Sequence, residues 1–464
     1  MVQSVEDRHL RLLLAFALAA RIGAFILAGR GGVLVGEGRV YSDLAVNLLE
    51  GRGYTLSPSM LHPEEDSETS RLLHTRTFQF YQRVDGFYGV LRPGRPTLFI
   101  PPGYPLLMAA VYSVFGAGDM LAVRGLQLAA GLLTVLLGFR LARGQLSGRP
   151  LALVCLFMAL DPFEIYYEAI PATQAVFSLL FMTALVLSTS ALERRSALRA
   201  LSASAVWGLA YHVRPAALPV MAVFLLCILA APGRPMLRRT ALAAGAAAVF
   251  LAVLSPWAVY ARSVSGEWRI TPTQGGVNLW EAGGRIFSSH FEGEIQGAET
   301  LYGPLRREFG DAIRKPWLAE FPEFRDEPEW VRDSILASRS IEFLAANPGL
   351  VPRLVLLRFT EFFKPFPFND FPVHYILAGL ATFGLVLLFA GAGLVLHLKS
   401  GEPAKLMLAL TVVAYTLAHL ASISGTPHRV ALDFPLAVLA GTGYRVFRAR
   451  AGAARRSAVA RPDS

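Results

Sequence analysis

Apolar residues run through this chain in blocks long enough to cross a bilayer, with the polar residues gathered between them. Such blocks lie near 10–28, 121–140, 150–166, 172–192, 198–214, 216–231, 239–261, 376–397, 405–423 and 431–447. A block of roughly 17–25 apolar residues is the length of a membrane-spanning helix. The pattern predicts an all-α polytopic membrane protein, a bundle of about ten transmembrane helices.

Basic residues orient the bundle. Arg8 and Arg11 precede the first block, and Arg140, Arg143 and Arg149 fill a later gap. Arg194, Arg195 and Arg199 form another cluster, followed by Arg234, Arg238 and Arg239, then by Lys399 and Lys405. Arg445, Arg448, Arg450, Arg455 and Arg456 come at the end. Cytoplasmic loops concentrate Lys and Arg, and ten spans put every cluster on that side. The segment 101–116 opens Pro-Pro-Gly-Tyr-Pro. It is short for a span, and counting it as one would invert every later loop. It reads as a helix lying in the outer interface. Two long outer segments follow from this topology, 29–120 and 262–375. The second carries Trp268, Trp280, Trp317 and Trp330, with apolar residues at helical spacing over Ala319–Ala346. It is expected to form a mostly helical outer loop region.

The chain then divides into an N-terminal transmembrane catalytic module over 1–261, the outer loop 262–375, C-terminal transmembrane helices over 376–447, and a basic tail over 448–464 expected to be disordered. Arg21 interrupts the first block and no small-x-small cleavage site follows, so that block reads as a retained signal anchor.

Composition agrees with a membrane protein. Hydrophobic residues make up 54% and charged residues 17%, against about 25% charged in soluble domains. Mean hydropathy is +0.45. The net charge of +10 arises from loop arginines, so no nucleic-acid partner is expected. Cys155 and Cys227 both lie inside apolar blocks and do not make a disulfide framework. No phosphate-binding loop or dinucleotide fingerprint stands in a strand–loop–helix context. His428 with Asp433 or Glu281 lacks the close ligand spacing of a metal site. No cofactor is expected, and a divalent metal is left open but not indicated.

Candidate chemistry gathers outside. Asp43 lies in Tyr-Ser-Asp-Leu-Ala-Val-Asn-Leu-Leu-Glu-Gly-Arg-Gly-Tyr, residues 41–54, just after the first span. A carboxylate at the membrane edge is costly to keep and is a functional candidate by default. Few ionisable groups lie within the spans, mainly Arg21, Glu168, His212, Arg214 and His419. Transporters bind near the midplane, so this distribution favours an enzyme at the outer interface. Arg92, Arg95, Arg262 and Arg429 are outer-face arginines whose forked guanidinium suits a phosphate. For Arg92 and Arg95, snorkelling to lipid head groups is an equal alternative. For Arg429, the alternative is a plain pair with Asp433, one turn on.

Several segments in order carry a resemblance: Tyr41–Tyr54, Pro-Pro-Gly-Tyr-Pro-Leu-Leu-Met-Ala-Ala-Val-Tyr at 101–112, Ala159-Leu-Asp-Pro-Phe, Gly208-Leu-Ala-Tyr-His-Val-Arg-Pro, Pro256-Trp257 to Arg262, and His428-Arg429 to Pro435. Together they resemble the GT-C-fold polytopic glycosyltransferases of the family 39-like branch, which includes protein O-mannosyltransferases and lipid A aminoarabinose transferases. The resemblance covers most of 8–447. It implies a GT-C-like bundle with outer juxtamembrane helices, of which 101–116 would be one. It also implies a polyprenyl-phosphate-linked sugar donor and inverting transfer to an acceptor hydroxyl on the extracytoplasmic face of the cell membrane. Asp43 would match the family's first-loop acid, a general base or acceptor-orienting group. Arg92, Arg95, Arg262 and Arg429 would hold the donor phosphate, and Tyr41, Tyr104 and His428 would contact substrate. The chain departs from the family at Leu44, where the mannosyltransferase branch often has Glu, and at Gln174, where many members carry Glu. The acceptor stays open. The rival reading is a transporter or flippase of lipid-linked sugars.

Overall fold

The computed structural model describes residues 2–28, 37–57, 94–233, 235–279, 327–365, 373–422 and 424–459. Every expected span is occupied by helix. α1 covers Val2–Leu27, and α2, Glu37–Leu49, follows it. α3 is Gly103–Phe115 and α4 is Met120–Arg143. The third span is broken into α5, Gly148–Leu160, and α6, Pro162–Ala169. α7 covers Thr173–Glu193, α8 Ala197–Val213, α9 Leu218–Ala230 and α10 Met236–Ser265. α11 is Glu329–Ala346 and α12 is Val351–Phe363. α13, Val373–Gly379, runs through a π-turn at 380–384 into α14, Leu385–Leu398. α15 is Pro403–Ala421, α16 is Thr426–Arg429, and α17 is Asp433–Val459. Among the described residues no named β-strand occurs; a single bridge pairs Thr55 with Pro96.

Among the described residues, seven helical segments are long and apolar enough to span a membrane. The count of ten is therefore not reached by that measure, although helix covers all ten blocks. At about 1.5 Å per residue, the 13 residues of α3 reach only about 20 Å. That is short of a hydrocarbon core of about 30 Å.

Two local features differ from the sequence reading. The block near 150–166 is not one rod. Asp161 has left helical geometry, its side chain accepts from the Phe163 amide at 3.0 Å, and Pro162 starts a new helix. Pro at the first helical position has no amide to lose and has φ preset for the helix. At the other end of the chain, α17 runs through the Arg/Ala stretch to Val459, where disorder was expected from 448. Ala and Arg are among the best helix formers, and they extend the last span beyond its apolar part.

The bundle interior is close-packed around small residues. A Cβ on Gly208 would stand 2.8 Å from Val253, and one on Gly138 2.8 Å from Phe434. Trp207, Phe181, Phe177 and Tyr415 form a buried aromatic core between α7, α8 and α15.

Candidate active site

Asp43 sits on α2, half-buried, with Asn47 one turn on along the same face. Its Oδ2 accepts from the Ser57 amide at 2.8 Å and more weakly from Asn47 Nδ2 at 3.5 Å. No described residue donates to Oδ1. Asn47, 1% exposed, fixes the turn that follows the helix. Its Nδ2 donates to Thr55 O at 2.6 Å and to Ser57 Oγ at 3.2 Å, while its Oδ1 accepts from Arg52 Nε at 2.6 Å. Gly51 and Gly53, at φ +74° and +77°, make the tight reversal that brings residues 54–57 back over α2. Positive φ is the region glycine enters without a steric cost.

A string of buried polar groups leads away from α2. Tyr41 meets Tyr104 edge-on at 5.2 Å. Tyr104 Oη donates to Gln127 Oε1 at 2.9 Å. Gln127 Nε2 donates to Ile170 O at 2.8 Å and to the carbonyls of Tyr167 and Ala172 at 3.3 Å each. Arg124 Nε caps Ala169 O at 2.8 Å. These donors satisfy carbonyls at the end of α6 and in the turn that follows it, which have no helical partners. Just beyond, Thr173 Oγ1 accepts from Arg214 Nε at 2.9 Å, and Arg214 Nη1 reaches Pro427 O at 3.0 Å. Arg214 lies over the Phe177 ring and bonds to Tyr415; Tyr415 in turn meets His419, whose imidazole lies 5.0 Å from that of His428. Close backbone approaches hold the parts together. A Cβ on Gly103 would lie 2.8 Å from the His212 backbone, and Gly38 packs against Pro171.

The expected site residues are not all together. Asp43, Tyr41 and Tyr104 belong to one neighbourhood, and His428 lies in the Arg214 cluster. Arg262 is exposed in the last turn of α10, its guanidinium 4.9 Å from the Trp268 ring centroid. Arg95 is exposed beside the Thr55–Pro96 bridge. Arg92, Trp280 and Glu281 lie outside the described residues. Arg429 is placed otherwise than expected. It is fully buried, bound to Asp433 Oδ1 at 2.9 Å and to Lys364 O at 2.6 Å, and covered by Phe383 and Phe163. The plain Arg–Asp pair is what forms there, and it removes the guanidinium from the surface where a phosphate would arrive.

That pair is one end of a buried ionic cluster that sequence reading missed. Arg21 Nε lies 2.7 Å from Glu168 Oε2, and Arg21 Nη1 donates to Ala159 O at 2.8 Å. Asp161 and Glu164 are buried on the same broken span. Gly131 leaves the space that Glu168 fills, since a Cβ there would fall on its carboxylate. Arg21 and Glu168 were visible as charges inside spans; their pairing across 147 residues was not. Arg214 and Glu329 were missed as well. Arg214 could have been singled out by the same logic as Arg262, as an arginine at a span end away from the basic clusters.

Glu329, at the start of α11, is 8% exposed and outside the spans. It accepts from the Leu98 amide, from Thr97 Oγ1 at 2.9 Å and from Thr273 Oγ1 at 3.4 Å. Burial pushes its carboxyl up to about 7, against the pull of those donors. Burial also raises the Tyr54 phenol, with Tyr260 and Glu329 adding to it.

The helical bundle shares the GT-C fold seen in solved membrane glycosyltransferases. Residues 100–260 match the family model of dolichyl-phosphate-mannose-protein mannosyltransferases. The oligosaccharyltransferase of Archaeoglobus fulgidus in its apo form superposes with a TM-score of 0.52 at 15% identity, over 98% of this chain and 52% of its own. The same organism's AglB, in complex with an inhibitory peptide and a dolichol-phosphate, gives 0.53 at 14% identity, over 99% and 53%. This chain thus spans about half the length of those proteins, and at such identities the likeness is one of fold. ArnT from Cupriavidus metallidurans bound to undecaprenyl phosphate aligns over 93% of this chain and 77% of its own at 15% identity, with a TM-score of 0.38. No curated protein matches the chain by sequence.

Proposed function

We propose that this protein is a membrane glycosyltransferase that moves a sugar from a polyprenyl-phosphate-linked donor to an acceptor hydroxyl on the extracytoplasmic face, with inversion at the anomeric carbon. The observation that carries the reading is the setting of Asp43. One carboxylate oxygen is pinned by the Ser57 amide, and no described residue donates to the other. A general base needs that arrangement: a fixed carboxylate with a lone pair free to take a proton.

In this reading Asp43 takes the proton of the acceptor hydroxyl as its oxygen attacks the anomeric carbon. The bond from that carbon to the phosphate oxygen breaks, and the polyprenyl phosphate leaves with the electron pair. A phosphate leaving group needs positive charge more than a proton, which guanidinium groups supply. Arg262, Arg95 and Arg92 keep this role, and Arg214 joins them in place of the buried Arg429. Arg214 is held in place by Thr173 and Pro427, so little side-chain freedom remains to be lost on binding. Tyr41, Tyr104 and His428 shape the surroundings of the sugar and acceptor. The lipid tail of the donor would lie in the bilayer.

The test is turnover by detergent-purified protein given a polyprenyl-phosphate sugar and a mixture of envelope acceptors. Release of polyprenyl phosphate supports the transferase. Movement of intact donor across vesicles without release would mean a flippase instead.

A further inference from the structure

We propose that Glu329 is a positioning residue for Asp43, acting through the first outer loop. The proposal rests on the reading of Asp43 as the base. Asp43 does not hold its own geometry; residues 54–57 do, and their place is fixed from the far side. Thr97 N donates to Tyr54 O at 3.0 Å, and Gly94 N donates to Leu56 O at 2.8 Å. These bonds and the Thr55–Pro96 bridge tie 54–57 to 94–97 as a short ribbon. One edge of the ribbon faces α2, where Thr55 O accepts from Asn47 and the Ser57 amide reaches Asp43.

The ribbon continues into Leu98, which is grasped by Glu329. The same carboxylate takes the Thr97 hydroxyl, the Leu98 amide and the Thr273 hydroxyl, and Thr273 N donates to Leu98 O at 3.0 Å. Three segments far apart in sequence thus meet on one side chain. Tyr54 lies against Trp257 and Tyr260, and Tyr260 Oη reaches Thr97 O at 3.3 Å, so the ribbon also rests on the end of α10. The titratable groups facing Glu329 are Tyr54 from the first loop, Tyr260 from α10 and Asp333 from its own helix. Asp333 is itself held by the amides of Gly276 and Val277 and faces Arg269.

A neutral side chain of the same shape satisfies the grasp. A protonated Glu329, or a Gln in its place, can accept from Leu98 N with one atom and donate to Thr97 Oγ1 with the other. The hydrogen-bond pattern, not the charge, is what sets the ribbon.

The test compares Glu329→Ala, Glu329→Gln, Thr97→Val and Asp43→Asn in the full-length protein. Glu329→Ala is expected to lower kcat on the order of tenfold to a hundredfold, the scale of a small misplacement of a reacting group, with the donor KM little changed. Hydrogen–deuterium exchange over residues 54–57 should rise with it. Glu329→Gln should recover most of the lost kcat and the protection. Should Glu329→Ala not fold, Thr97→Val removes one bond of the same grasp and is expected to move both readouts in the same direction, less far. Unchanged kcat and exchange in Glu329→Ala, or in Thr97→Val if that variant alone folds, would overturn the proposal. So would a Glu329→Gln protein as impaired as Glu329→Ala. Asp43→Asn separates the two levels: full turnover there removes the base itself, whereas an inactive Asp43→Asn beside a fully active Glu329→Ala removes only the positioning.

Discussion

Replacing Glu168 with Ala should destabilise the bundle far more than removing both members of its ion pair. Arg21 and Glu168 have side chains 1% and 3% exposed, and their charged atoms approach to 2.7 Å. Arg21 would lose its only directly bonded carboxylate and keep hydrogen bonds to Ala159 O at 2.8 Å and Ala17 O at 3.4 Å, with Asp161 the carboxyl that still faces it. An uncompensated buried charge costs about 3–5 kcal/mol, whereas exchange of a whole pair for apolar residues of like volume is often neutral. The single variant Glu168→Ala should therefore lose about 3 kcal/mol or more, and the double variant Arg21→Met, Glu168→Met close to none. Gly131→Ala pushes a methyl into the Glu168 carboxylate and should act in the direction of the single variant. Reversible unfolding by mixed detergent titration, followed by circular dichroism, gives the free energies. A double variant as unstable as Glu168→Ala, or a Glu168→Ala protein that unfolds with the wild type, would refute this account of the pair.

Three further outcomes are expected. Arg262→Ala and Arg214→Ala should each raise the KM for donor, with Lys at either position intermediate because it keeps the charge and loses the fork; donor titrations of turnover check this, and unchanged kinetics in both would leave the phosphate without those arginines. Glu329 has a folded value near 7 against an ordinary 4.5, so the folded protein holds that proton more tightly, and the stability this gives is complete below about 4.5 and lost as pH rises through 7. The span amounts to roughly 3.5 kcal/mol at most; the thermal midpoint of the wild type should fall between pH 5 and 8 relative to Glu329→Gln, and parallel profiles would contradict it. Cysteines placed at Ser289 and Ser457 should be labelled from outside and inside respectively; outside labelling at Ser457 would invert the topology.

Much of the fold was legible because membrane spans announce themselves by length and apolar run. Blocks such as 172–192 and 405–423 match α7 and α15 within about two residues. What hydropathy hid was internal to a block. Pro162 after Asp161 marks a helix start as readily as a mid-span kink, and an apolar average over the window absorbs both. The tail differs for the opposite reason: its polarity suggests disorder, but Ala and Arg favour helix.

The site was legible where one segment carried it. Asp43 and Asn47 stand four residues apart on one helix, and the glycines after them signal a turn. Arg429 beside Asp433 offered two readings from sequence, and only packing against Phe163 and Phe383 chose between them. Glu329 could not be found at all, because its partners Thr97, Leu98 and Thr273 are more than fifty residues away in every case.

The central claim is that Asp43 removes the acceptor proton during sugar transfer. Its most direct test is single-turnover release of polyprenyl phosphate by Asp43→Asn, compared with wild type at matched folding and insertion. Asn keeps the shape and the Ser57 contact but cannot take a proton, so release should fall by at least about a hundredfold, the scale of general-base catalysis. Release at the wild-type rate from a well-folded Asp43→Asn protein would contradict the account.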